Sequence, residues 1–168
     1  MRSADWTAID ITADPREATL SGVTMHGGHR FKVPWVTQLK DNLWTGGCAN
    51  GMVLPDIFDH VVSLYPWEKY AVLHEIKSEL SVYMYDSLDQ DFDGLDSLAN
   101  WVNHCVSDGP TLVHCQAGLN RSALVAGRAL VLSGMSGADA LNLIRKQRSP
   151  ACLCNSAFEA QLLGYDDN

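Results

Sequence analysis

The chain has 168 residues, 46% apolar and 19% charged, with 13 Gly and 6 Pro spread along it; that size and mix suit one packed domain and exclude a collagen, a coiled coil or wholesale disorder. Twelve Lys and Arg against 20 Asp and Glu leave a formal charge of −8, which opposes long nucleic acid and anionic membranes as partners, although a local nest of amides with one Arg still suffices for a single phosphate group. No apolar run approaches the roughly 18 to 20 residues of a membrane span, and MRSADWTAIDITADP lacks a signal-peptide core, so a soluble protein is expected.

Residues 1–40 are expected to form an N-terminal segment packed on or preceding the core, and 41–168 the functional domain. The stretch 10–30 is rich in Thr, Ala, Asp and Gly with weak periodicity, and function is not expected there. From Asn42 onward, short β-rich runs alternate with helical patterns, the arrangement of an α/β fold with a mostly parallel sheet flanked by helices in three layers. Strands are predicted at 42–45, 60–65, 80–85 and 111–114. Between the last two, Phe92, Leu95, Leu98, Val102 and Cys105 recur at three- or four-residue steps and mark one apolar helix face, ending near Asp108-Gly109-Pro110.

Residues 122–132 are apolar almost all round, which predicts a helix buried against the sheet. Ser136 with Asp139 three residues on reads as the capped start of a third helix, running to about Lys146. Asn155 reads as the N-cap of a last short helix that carries Phe158 and Leu162 and closes at Gly164.

The informative segment joins the predicted strand Thr111-Leu-Val-His114 to the buried helix through Cys115-Gln116-Ala117-Gly118-Leu119-Asn120-Arg121-Ser122. Amides of a loop closing onto a helix N-terminus converge on one point, the helix dipole adds positive charge there, and Gly118 supplies conformational freedom; this is a phosphate cradle. At its base, the dipoles and Arg121 favour the thiolate form of Cys115 and make it a nucleophile. Arg121 can fold its planar fork back over the loop and bind two phosphoryl oxygens, which a Lys could not do bidentately.

This H-C-x5-R-S string resembles the signature of the cysteine-dependent protein tyrosine phosphatase superfamily, most closely its dual-specificity branch, over roughly residues 42–163. The resemblance implies a phosphatase-like catalytic domain at 41–168, in which Cys115 attacks phosphorus, Arg121 stabilises the transition state and Ser122 helps the thiolate leave. It also implies that His114 hydrogen-bonds around the loop and that Gln116, Ala117, Gly118, Leu119, Asn120 and Arg121 bind the phosphoryl group. A general acid is implied on a loop about thirty residues before the Cys. Asp86, 29 residues upstream and directly after the third predicted strand, is the first choice, with Asp89 and Asp91 on the same acidic stretch left open. The segment Asn155-Ser-Ala-Phe158-Glu-Ala-Gln161-Leu resembles the family's C-terminal helix start, with Cys154 in place of a proline. Asn155 is open between bracing the signature loop and simple N-capping.

The five cysteines, Cys48, Cys105, Cys115, Cys152 and Cys154, form no C-x-x-C pair and are odd in number, which fits reduced thiols in the cytoplasm. Cys152 and Cys154 are read as packing residues, no metal site and no cofactor are expected, and Cys48 is a core cysteine by default. The resemblance adds a protective disulfide between Cys48 and Cys115 as its alternative. Tyr65-Pro66-Trp67-Glu68 follows a predicted strand where active-site loops gather, and either lines the substrate mouth or covers the core.

The expected reaction is hydrolysis of phosphotyrosine and phosphoserine/threonine in proteins, or of a small phosphomonoester. A shallow cleft is inferred because 168 residues leave little room for elements that deepen a phosphotyrosine-only pocket. The first alternative is an RNA 5′-triphosphatase, since Gly118-Leu-Asn-Arg121 is similar to the Gly-x-Asn-Arg loop of those enzymes, although Gln116-Ala117 departs from their Thr-His. A phosphoinositide phosphatase ranks below it because Gln116, Leu119 and Asn120 are uncharged. A phosphate-binding pseudophosphatase is the alternative of another class, and the intact Cys115 and Arg121 count against it.

Overall fold

The computed structural model describes residues 9–11, 31–48, 51–65, 67 and 70–164. Its centre is a five-stranded sheet in the order β3-β4-β7-β5-β6, formed by β3 (Val36–Lys40), β4 (Leu43–Gly46), β5 (His60–Ser63), β6 (Ser78–Ser81) and β7 (Thr111–His114). β4, β7, β5 and β6 run parallel, and β3 adds an antiparallel edge through a turn at Asp41 and Asn42. A separate antiparallel pair joins β1 (Ile9–Ile11) to β2 (Phe31–Val33). Most of the weakly periodic stretch 10–30 lies outside the described residues. β3 precedes the domain boundary expected at residue 41, so the sheet draws on residues from both sides of it.

Four helices are described: α1 (Leu95–Asp108), α2 (Arg121–Leu132), α3 (Gly137–Gln147) and α4 (Ser156–Leu163). Alternation along the strands divides their side chains between two cores. Val62 and Val113 join the buried apolar residues of all four helices, whereas Val61 and Leu112 pack with Leu54 and Phe58 on the opposite face. Among the described residues that second face is covered by the segments linking β4 to β5 and β5 to β6. The near-continuous apolar run of α2 has the expected consequence, since every residue from Arg121 to Leu130 is buried. Ser136 Oγ accepts from the Asp139 N–H at 3.0 Å, and the Asn155 side chain accepts from Ala157 and Phe158, so both predicted caps form.

The third predicted strand requires a correction. β6 spans Ser78–Ser81 rather than 80–85, so Asp86 does not directly follow it. Burial still alternates through Val82, Tyr83, Met84, Tyr85 and Asp86, so the chain stays extended. However, β5 ends at Ser63, and beyond the Val82 N–H to Ser63 carbonyl bond of 2.8 Å no ladder partner is found among the described residues.

The parallel register sets one row across the sheet. Gly46 pairs with His114, His114 with Ser63, and Ser63 with Ser81, so four strands finish side by side and the segments that follow them emerge at one edge.

One ion pair ties α1 to α2: Arg128, nearly buried, donates through Nε and Nη2 to Asp96 at 2.6 and 2.8 Å. The guanidinium holds the Asp96 carboxyl below the usual carboxylate range. Its contribution to stability is present above the unfolded-state value near pH 4 and is lost as pH falls through the lower native value. Because the carboxylate is 56% exposed, Asp96→Asn is expected to cost only about 1 kcal/mol at neutral pH. In urea titrations the difference between wild type and variant should be constant above about pH 5 and should close below about pH 4.

Candidate active site

Cys115 to Asn120 form the loop between β7 and α2, and Gly118 turns it with φ +70°. A Cβ at that position would collide with the Arg148 guanidinium and the Gly46 backbone, so the glycine is required both for its dihedral and for its size.

The carbonyls of residues 116–120 are all held by groups beyond the loop. The Gln116 oxygen accepts from the Cys48 N–H at 3.0 Å, the Leu119 oxygen from the Leu153 N–H at 2.8 Å and the Asn120 oxygen from the Leu124 N–H at 2.8 Å. Arg148 supplies the remaining two, donating to the Ala117 oxygen at 3.2 Å through Nη2 and to the Gly118 oxygen through Nε. A trans peptide points its N–H opposite its C=O, so with five successive oxygens turned outward the following amides face the loop's interior. The Gly118 N–H lies 3.2 Å from Cys115 Sγ.

Cys115 itself is 1% exposed, and its sulfur is 3.4 Å from Ser122 Oγ. Ser122 also reaches the Gly46 oxygen at 3.3 Å. Leu119 is wholly buried in the core and Ala117 nearly so, so both can serve a ligand only through backbone amides. Arg121 is buried against the aromatic side of the site, with Nη1 donating to the Met84 oxygen at 3.3 Å and the guanidinium carbon 4.9 Å over the Tyr65 ring. Its Nε, buried, has no hydrogen-bond partner. This is the arrangement of a cation held ready for an anion in the loop.

His114 is 1% exposed and bridges two groups, with Nε2 2.9 Å from the Tyr70 hydroxyl and Nδ1 3.3 Å from the Cys115 oxygen. Those partners assign the neutral tautomer with the proton on Nδ1. Burial pushes the ring down to about 4, with the charge of Arg121 adding to the effect.

Asp86 is drawn to the loop through amides. Its Oδ2 accepts from Asn120 Nδ2 and its Oδ1 from Asn155 Nδ2, both at 2.9 Å, and the carboxylate is 5% exposed. The Asn155 backbone N–H in turn donates to Asn120 Oδ1 at 3.0 Å. Asn155 therefore caps α4 and braces the loop at once. Asp89 and Asp91 are exposed on the stretch that follows. All five cysteines are free thiols, and Cys48 meets the loop through its backbone. Trp67 is half exposed, so it does more than cover the core; Pro66 and Glu68 lie outside the described residues. Two residues that the sequence did not single out for a role, Arg148 and Tyr70, turn out to hold the loop and its histidine.

Residues 57–168 match the model of the family described as dual specificity phosphatase, catalytic domain. The protein named "Putative tyrosine phosphatase 123R" of Invertebrate iridescent virus 6 is 28% identical over 134 residues, spanning 77% of this chain and 91% of the viral one. Among solved structures, a variant of human DUSP28 superposes with a TM-score of 0.67 at 22% identity, covering 80% of this chain and 95% of that one. OH1 of the Orf virus, described as a tyrosine phosphatase with triple substrate specificity, gives 0.59 at 21% identity, covering 79% and 87%.

Two outcomes test this geometry. Gly118→Ala is expected to lose about 2 kcal/mol in urea unfolding, from backbone strain and the clash, and to lose most of its affinity for vanadate in a titration. For His114, the unfolded ring takes a proton below about pH 6.5 whereas the native ring resists it until about 4. Stability is thus fully present above the upper value and falls as the pH drops between the two. NMR titration should show the His114 ring neutral throughout that window.

Proposed function

The chain belongs to the dual specificity phosphatase family, and on that premise we propose that it hydrolyses phosphotyrosine and phosphoserine/threonine in proteins through a phosphocysteine on Cys115. The observation that carries this reading is the outward tethering of the carbonyls of residues 116–120 around a buried thiol. It leaves a ring of inward N–H groups, a fixed positive field where three phosphoryl oxygens would sit.

In the first step Cys115 Sγ attacks phosphorus in line, the S–P bond forms and the ester P–O bond breaks. Arg121 exchanges its resting contact with the Met84 oxygen for two equatorial phosphoryl oxygens, and those become more negative in the transition state. Asp86 gives its proton to the leaving oxygen. Asn120 and Asn155 occupy one lone pair on each carboxyl oxygen, which fixes its plane and leaves a lone pair for the proton. In the second step Asp86 takes a proton from water as the water attacks phosphorus, and the S–P bond breaks. Ser122, 3.4 Å from the sulfur, donates to the departing thiolate.

Free thiols at all five cysteines fit a reducing compartment, and we place the protein in the cytoplasm. No described helix is long and apolar enough to cross a membrane.

Steady-state hydrolysis of para-nitrophenyl phosphate and a phosphotyrosine peptide across pH tests the mechanism. Cys115→Ser and Arg121→Ala should fall by about 10³-fold or more. Asp86→Ala should slow by roughly 10²- to 10⁴-fold and lose the basic limb of the profile. A wild-type protein inert on both substrates would overturn the proposal.

A further inference from the structure

The row of strand ends that delivers the phosphate loop also delivers four aromatic rings. Tyr65 and Trp67 follow β5, while Tyr83 and Tyr85 follow β6. Trp67 is the hub, with ring centroids 4.9 Å from Tyr65, 5.2 Å from Tyr83 and 6.1 Å from Tyr85. Three of the rings face solvent, Trp67 at 47%, Tyr83 at 65% and Tyr85 at 51% exposure, while Tyr65 packs partly against the core. So much ordered aromatic surface left to water is the mark of an interaction site.

The wall's inner end is Tyr65, whose face carries the guanidinium of Arg121. It therefore begins at the group proposed to hold the phosphoryl and leads outward. The centroid steps of 4.9 and 5.2 Å from Tyr65 to Trp67 to Tyr83 keep the wall within the reach of about three residues of extended peptide, at roughly 3.3 Å each.

The chemistry of the wall suits a cation. Ring faces carry the negative end of the aromatic quadrupole, and one of them already binds a guanidinium. The stretch that follows Tyr85 adds exposed carboxylates at Asp89, Asp91 and Asp93, and the Tyr85 N–H ties it to the wall through Gln90 Oε1 at 2.7 Å. Lys77, the cation just before β6, is taken up by Asp59 and Asp108. The formal charge of the whole chain, −8, has the same sign as this surface.

We infer that Tyr65, Trp67, Tyr83 and Tyr85, with the adjoining carboxylates, form a subsite for an Arg or Lys side chain within three residues of the phosphorylated residue of a peptide substrate. This deepens the phosphatase reading and rests on it.

The test is isothermal titration of peptides that carry a non-hydrolysable phosphonate analogue of phosphotyrosine. Their flanking residues are Arg, norleucine or Glu in an otherwise fixed sequence. Wild-type protein should bind the Arg peptide about fivefold tighter than the norleucine peptide, and the Glu peptide weakest. In Trp67→Leu and in Tyr83→Leu the Arg-to-norleucine ratio should fall toward one. The ratio is read within each protein, so a general loss of folded material cancels. A norleucine peptide bound as tightly as the Arg peptide, a ratio unchanged in both variants, or no binding of any peptide would overturn the subsite. Turnover of para-nitrophenyl phosphate, measured on the same wild-type sample, reports separately on the phosphatase reading.

Discussion

A carbonyl oxygen turned into the loop after β7 would repel the phosphoryl group proposed to bind there, so the proposed site depends on keeping five successive carbonyls pointed away. The donors that do so come from separate places: the backbone of Cys48 after β4, the side chain of Arg148 after α3, the backbone of Leu153 before α4, and Leu124 within α2. Each bond contributes only about 0.5 to 1.5 kcal/mol net, but together they convert a flexible glycine-containing segment into one shape. The sheet, the buried α2 and the packing of α3 and α4 are what place these donors. Arg148 also donates to the Pro34 oxygen and to Thr37 Oγ1, so its fork is fixed on both sides before it touches the loop. Burial opposes its charge, and four acceptors for one guanidinium are the compensation such a group needs.

The same economy of parts governs the acidic side. Asp86 lies past the end of β6 on an extended segment, and two amides hold it, one from the loop and one from the cap of α4. Asn155 thereby links three tasks in one side chain: starting a helix, holding Asn120 through its own backbone, and orienting the carboxylate. The polar groups in this network are buried and satisfied, the condition under which such networks stiffen a site.

Sequence carried the site where the physics is local. Cys115, Gly118, Arg121 and Ser122 lie within eight residues, and the strand before them and the apolar helix after them show in period and composition. The helices were legible for the same reason, down to the caps at Ser136 and Asn155. Where hydrogen bonding crosses the chain, spacing says nothing. Arg148 stands 30 residues from the Gly118 oxygen, and Tyr70 stands 44 from His114. The end of β6 fails differently. Alternation persists to Asp86 because one face of the segment stays against the core, but pairing stops with β5, and periodicity reports faces rather than partners. The aromatic run around Trp67 reads from sequence as either lining the mouth or covering the core, and its open face emerges only when Tyr83 and Tyr85 arrive from the neighbouring strand.

Arg148 also ties the loop to a distant part of the chain. Its bond to the Pro34 oxygen joins positions 114 residues apart and is made by the same side chain that holds the loop. The chain near residue 34 and the loop after β7 thus share one guanidinium, and a displacement at the edge of the sheet reaches the Ala117 and Gly118 carbonyls through it.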